Sequence, residues 1–231
     1  MAVDLITPSV PDTLADVAGR RDREAALTAA ILLLFQEEQA RLEDGYPAQW
    51  ERFQRRLAER MSPELAATYT EAARHLADEH DLHFDTEMGR RQARVWSGHY
   101  ANTLAAELIQ STKDKLVYAH GEAIATGTPF MELIAPVFSP ARADVIGTTE
   151  TTRAITSGMM GFGNHFAVEN KLVATWRWYT RFDDRVCEFC MPLHGLIFPD
   201  QIPDDYPFSY HLGPPGHVNC RCSVHVTFEA R

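Results

Sequence analysis

No cysteine precedes Cys187 in this 231-residue chain, so neither a disulfide nor a thiolate site can be built over most of its length. Long apolar runs are missing too. The most apolar stretch, ALTAAILLLF from Ala26 to Phe35, falls well short of the roughly 20 residues a spanning helix needs and has charge on both flanks. A buried helix segment is the reading for it, and no membrane association is expected. The opening MAVDLITPSVPDTLADVAG lacks a basic stretch leading into an apolar core, so it does not read as a signal peptide, and a reducing compartment is the expectation. There is no G-x-x-x-x-G-K-[ST] run, no Rossmann-type glycine fingerprint, no HExxH and no internal repeat. The formal net charge of -10 argues against a chain that coats nucleic acid by charge alone, while leaving room for a weak local contact with DNA.

What remains is an ordinary globular composition, 45% hydrophobic in 26.0 kDa, enough for one large domain or two small ones. The pattern predicts an α+β protein: a mainly α-helical body followed by a small β-rich, Cys/His-containing carboxy-terminal module. Residues 1–19 read as an extended arm. Residues 20–138 form the helical body and 139–231 the module, with a helix over 140–157 and a β-rich unit over 170–228. Within the body, Leu27, Ile31, Leu34 and Phe35 recur at helical spacing from Arg20 to Leu42, and Asp44-Gly45-Tyr46-Pro47 is a stop. A short helix is expected from Trp50 to Arg60. Ser62-Pro63-Glu64 has the cap, first-turn proline and acid of a new helix running to about Leu82. Another begins near Asp85 and continues to Ile109 or Gly121. Ser139-Pro140 repeats the capping signal, and GMMGFGN looks like a glycine-rich break that ends that helix. Beyond it, Leu172 to Tyr179 alternates as a strand does. Leu196–Phe198 and Ser223–Phe228 are further strand candidates between proline-marked loops.

All four cysteines lie in DDRVCEFCMPLHG and PPGHVNCRCSVHV. Cys187-x-x-Cys190 has knuckle spacing, with which two thiolates reach one tetrahedral ion across a tight turn. Cys220 and Cys222, two apart, share one face if the segment is a strand. A small unit rich in loop prolines has a thin core, and closing the long loop between the pairs would stabilise it. A structural zinc ion on Cys187, Cys190, Cys220 and Cys222 fits this arrangement, since thiolates suit zinc better than hard cations. His217 is the alternative fourth ligand, and His194 and His211 are weaker rivals. Asp183, Asp184 and Arg185 are expected to hold the turn. Other readings stay open: reduced thiols in a small core, disulfides pairing Cys187 with Cys220 and Cys190 with Cys222 or the reverse, and a nucleophilic cysteine with His217 as base.

Elsewhere the chemistry is thin. His75, Glu79, His80 and His83 cluster on one helix and read as a solvated polar face. Glu150 lies in GTTETTR with Arg142 and Arg153 near it, and reads as an acid paired with a buried arginine. Trp176 and Trp178 read as core, or as the seam between the β unit and the helices. The basic stretches ERFQRRLAER and RRQAR read as charged helix faces. No catalytic set and no cofactor pocket is recognisable.

The tail as a whole resembles the phage head morphogenesis family, minor capsid proteins of the Mu F-like and SPP1-type groups. The resemblance rests on Trp176, Thr180, Asp183, Arg185, Val186, Cys187, Cys190 and Gly195, then Pro215, His217, Asn219, Cys220, Arg221 and Cys222. Upstream, RADVIGTTETTRA is similar at Arg142, Ala143, Ile146, Thr149 and Glu150. Gly216 and Val218 depart from the family's prolines. The resemblance implies a non-enzymatic minor structural component of a tailed phage head, made in the host cytoplasm and built into the virion. It implies portal protein and major capsid or scaffold protein as partners, with roles in head assembly and DNA packaging or delivery. A thiol-dependent hydrolase, a nuclease delivered with the DNA, and a small DNA-binding accessory are the alternatives.

Overall fold

The computed structural model describes residues 19–180 and 186–231. The expectations for the amino-terminal arm up to residue 18, and for Asp183, Asp184 and Arg185, lie outside the described residues. Five helices come first: α1 (Arg20–Glu43), α2 (Trp50–Glu79), α3 (Thr86–Thr126), the short α4 (Phe130–Ile134) and α5 (Pro140–Glu169). Strand β1 (Leu172–Tyr179), a one-turn α6 (Phe208–His211) and strand β2 (Ser223–Ala230) complete the chain. The fold is α+β, mostly helical, with one small sheet.

The helix starts follow the capping chemistry. Asp85 Oδ1 accepts from the backbone N–H groups of Glu87 and Met88 at 2.9 and 3.0 Å and opens α3. Ser139 Oγ accepts from Arg142 N at 3.2 Å and opens α5. Two expected breaks do not occur. Ser62-Pro63 lies inside α2, which runs unbroken for 30 residues. Phe53, Leu57, Met61, Leu65, Tyr69, Ala72 and Leu76 form one buried stripe along it. Burying side chains of this size stabilises by about 1.5–3 kcal/mol each, which together outweighs the ~3 kcal/mol cost of an internal proline. Ser62 Oγ does not cap a helix; it faces Ser97 Oγ of α3 at 3.2 Å.

The second break, GMMGFGN, is also helix, and α5 continues to Glu169. The glycines serve packing. A Cβ at Gly158 would collide with the Tyr69 backbone carbonyl of α2, and one at Gly163 would meet the Trp176 ring at 2.8 Å. Trading side chain for closeness lets α5 lie directly on α2 and under β1.

Two buried clusters result. The first joins α1, α2, α3 and the first half of α5 around Phe35, Leu57, Met61 and Phe138. The second lies against Ala72, Ala73, Leu76 and Ala77 of α2 and Ile155, Met159 and Phe162 of α5. It contains Trp176, Trp178, Leu193, Phe198, Tyr210, Val224 and three of the four cysteines. β1 and β2 pair antiparallel, with Trp176 opposite Val226 and Trp178 opposite Val224. The expected strand Leu196–Phe198 is a correction. It makes a single bridge, Ile197 with Arg177, and bonds Trp178 N to Leu196 O at 2.9 Å. It follows the free edge of β1 without becoming a strand, because Gly195 with φ 81 turns it in and Pro199 ends it.

Candidate metal centre

The two cysteine pairs, far apart in sequence, meet in space. The first sits on a tight turn: Cys190 N and Met191 N donate to Cys187 O at 3.2 and 3.1 Å, and Cys190 N also points at Cys187 Sγ at 3.4 Å. The second follows a turn closed by Cys220 N donating to His217 O at 3.2 Å, with Asn219 in the left-handed region at φ 64. Cys220 and Cys222 precede β2 and are not part of a strand. They still present both sulfurs to one point, because the backbone there is irregular in the right sense.

Two donor triads share Cys190: Cys187, Cys190 and His217, and Cys190, Cys220 and Cys222. Within each, the ligand atoms all lie within 4.8 Å of one another. His217 Nε2 is 3.1 Å from both Cys187 Sγ and Cys190 Sγ, and Cys190 Sγ is 3.9 Å from Cys220 Sγ. Two thiolates on one tetrahedral ion with bonds of about 2.3 Å stand roughly 3.8 Å apart, so the sulfur spacing fits a metal. His217 is prepared for the same task. Its Nδ1 donates to the Val218 carbonyl at 2.7 Å, which holds the ring with Nε2 facing the sulfurs. All four thiols are free of disulfides.

The sulfurs and the imidazole shift one another's ionisation. Cys220 is drawn well below the usual thiol range by hydrogen bonds from the Cys190 and Cys222 thiols, against the effect of burial. Cys190, which donates to Cys220 and Cys222 and is buried, is pushed up. Cys222 is also raised: Cys190 favours its thiolate, but the Cys220 charge and burial outweigh that. Burial opposes ionisation of Cys187, yet the Cys190 N–H and the nearby His217 bring it below its ordinary value. His217, bonded to Cys220 and to the Val218 carbonyl, is raised to about 9 despite its burial. A divalent cation would let every sulfur ionise and free Nε2 of its proton.

The second ligand loop is fastened from outside. Asn219 N donates to Thr149 Oγ1 at 2.7 Å, and Thr152 Oγ1 donates to Cys220 O at 2.7 Å, both threonines lying on α5. Arg20, 3% exposed, donates from Nη1 to Arg221 O at 3.0 Å and from Nη2 to the Thr152 hydroxyl. None of these three side chains stood out in the sequence as part of the site. The threonine run TTETT was the visible signal; it read as surroundings for Glu150, with Thr149 also part of the family resemblance, and not as support for the cysteines.

A family model described as Phage Mu protein F like protein matches residues 48–225. The chain belongs to the phage Mu F-like family. The matched span takes in all five candidate ligands, α5 with its threonines and most of the helical body. No curated protein and no solved structure matches this Mu F-like chain.

Other expected residues take different places. His194 Nδ1 lies 3.2 Å from both Thr180 N and Thr180 Oγ1, its ring stands edge-on to Tyr179, and it is in neither donor triad. His211 ends α6 and is likewise outside both. His75, Glu79, His80 and His83 form no metal-grade group among the described residues; His80 instead packs its ring against Phe228. Glu150 is paired as the sequence suggested, but the buried member is the acid, and its partner Arg153 is only half-buried. The acid accepts from Tyr100 Oη at 2.5 Å and Arg153 Nε at 3.2 Å. Arg142 turns away from it, to Thr112 Oγ1 and Val137 O, with its guanidinium over Phe35. Trp176 and Trp178 are the buried seam against the helices, Trp176 Nε1 donating to Asn164 Oδ1 of α5 at 2.8 Å.

Proposed function

We propose that this Mu F-like chain is a minor structural component of a tailed phage head, and that its carboxy-terminal module is stapled by one zinc ion and docks onto other head proteins. Family membership supports the head role. The donor set supports the ion: clustered thiolates and an imidazole suit zinc, not magnesium or calcium. The proposed ligands are Cys187, Cys190, Cys220 and His217. His217 is favoured over Cys222 by its equal 3.1 Å approach to two sulfurs. Cys222 is placed beside Trp178, whose buried indole N–H lowers the cost of its charge without making a well-directed bond. Zinc here supplies cross-linking and no chemistry; a closed set of four protein ligands leaves no position for substrate.

The docking role rests on one observation. Phe189, Met191, Phe208, Leu212 and Val218 are 57%, 53%, 75%, 55% and 67% exposed. Phe189 and Met191 flank Cys190, Val218 follows His217, and α6 is tied to the His217 loop by Ser209 Oγ donating to Gly216 O at 2.6 Å. The exposed apolar side chains therefore stand on the segments that carry the candidate ligands, or are tied to them. The exposed acids of this stretch are Glu188, Asp200, Asp204 and Asp205, and no lysine or arginine occurs between Val186 and Cys220. An apolar tip with an acidic border suits a protein partner with a basic rim and disfavours DNA. Portal, major capsid and scaffold proteins are the partners this reading proposes.

The test is complementation of a phage lacking the gene with Phe189→Asp/Phe208→Asp. The variant chain folds and binds zinc but is lost from purified heads. Wild-type incorporation of the variant, or absence of the native chain from heads, contradicts the reading.

A second reading has one observation behind it: the Cys187 thiol, partly exposed and below its ordinary pKa, sits against His217 as a nucleophile would. Rapid alkylation of Cys187 in the zinc-loaded chain would favour it; protection of all four sulfurs until zinc is removed favours the staple.

A further inference from the structure

We infer that Arg20, at the first turn of α1, is a positioning residue for the metal centre, acting with Thr149 and Thr152 on the backbone of the second ligand loop. The inference rests on the zinc reading above. Three consecutive residues of that loop are held from outside through main-chain groups: Asn219 by its N–H, Cys220 and Arg221 by their carbonyls. Cys220 is held through its carbonyl, which leaves its sulfur for the metal. The contacts form a relay. The Arg20 guanidinium donates to the Thr152 hydroxyl, and that hydroxyl donates to the Cys220 carbonyl at 2.7 Å, so each bond polarises the next.

Arg20 is an unusual residue to bury merely to fill space. It is 3% exposed and its charge faces Glu24 Oε1 at 2.7 Å, while Nη1 reaches a loop 201 residues away and Nη2 the Thr152 hydroxyl of α5. A planar fork that can bond a carbonyl, a hydroxyl and a carboxylate at once is what the geometry requires, and lysine cannot supply it. Outer-shell partners of this kind fix the direction of a metal ligand, and removing one typically costs 10–100-fold in affinity. Coupling runs both ways: if Arg20 favours the metal-binding arrangement of Cys220, bound metal must favour the docked first turn of α1. The start of the helical body and the metal knuckle then behave as one unit.

The experiment uses the full chain. Zinc is titrated against a competing chelator for wild type, Arg20→Ala, Arg20→Lys, Thr152→Val and the exposed control Arg21→Ala, with far-ultraviolet circular dichroism of each. Cobalt is then substituted to read the ligand field. Arg20→Ala is expected to weaken zinc binding about 10–100-fold with helical signal kept and the cobalt bands shifted. Arg20→Lys restores little, Thr152→Val shifts affinity in the same direction, and Arg21→Ala matches wild type. In the wild-type chain, stripping the metal should speed hydrogen exchange in the first turn of α1. Should Arg20→Ala fail to fold, Thr152→Val and the exchange measurement carry the decision. Wild-type affinity in Arg20→Ala and Thr152→Val, or exchange in α1 indifferent to metal, overturns the positioning role while leaving the zinc reading intact. A wild-type chain that binds no zinc overturns the zinc reading itself.

Discussion

His217 Nε2 lies 3.1 Å from Cys187 Sγ, although the two residues stand 30 apart in the chain. The contact closes the loop that carries nearly all the irregular structure of the module, and it brings an imidazole to the four cysteines that were the first expectation from sequence. If His217 is the fourth ligand, His217→Ala should weaken zinc binding by more than the roughly 10–100-fold cost of losing an outer-shell partner. Cys222→Ser should keep one zinc per chain. Competition titration of both variants checks this. The opposite ranking would assign the fourth position to Cys222.

Gly158 and Gly98 are both helical glycines, and they should respond to alanine with opposite signs. At Gly158 the added methyl meets the Tyr69 main chain, which cannot rotate away, so Gly158→Ala should cost about 1–3 kcal/mol. At Gly98 nothing lies within 4 Å, and Gly98→Ala should stabilise α3 by about 0.5–1 kcal/mol. Denaturant midpoints of the two variants test the role given to the glycines of α5. Equal and small effects would mean that α5 does not approach α2 as closely as described.

Glu150 makes stability depend on pH. Burial raises its pKa, against the lowering effects of Arg153 and the Tyr100 hydrogen bond. A carboxyl that is harder to ionise in the folded chain holds its proton over a pH range where the unfolded chain has released it. Its contribution is therefore best in acid, below the unfolded value, and is lost as pH rises through the folded one. Glu150→Gln removes this dependence. Thermal unfolding of the two proteins from mildly acidic to neutral pH should show a flatter profile for the variant; parallel profiles would contradict the burial argument.

Much of this fold was legible because local chemistry and tertiary packing agree. α1 begins and ends where its spacing and its Asp44-Gly45 stop say it should. Ser139 caps the helix it was expected to cap, α3 begins at Asp85 as expected, and the alternation of Leu172 to Tyr179 is a strand. The sequence misled where packing overrode a local signal. Pro63 normally starts a helix, but the buried stripe from Phe53 to Leu76 is continuous across it. GMMGFGN reads as a break because glycine favours turns; here close approach to Tyr69 and Trp176 needs the missing side chains. At the candidate metal centre the gathering of Cys187, Cys190, Cys220 and Cys222 with His217 was legible from spacing. Their support was not, because Arg20, Thr149 and Thr152 act on main-chain groups, which have no identity in a sequence.

The central claim is that the two cysteine pairs close on one zinc ion. X-ray absorption at the zinc edge, on full-length chain purified without chelator, tests it most directly. One zinc per chain with three sulfur neighbours at about 2.3 Å and one nitrogen at about 2.0–2.1 Å is the expected result. A chain that carries no stoichiometric zinc, or a first shell dominated by oxygen, would contradict it.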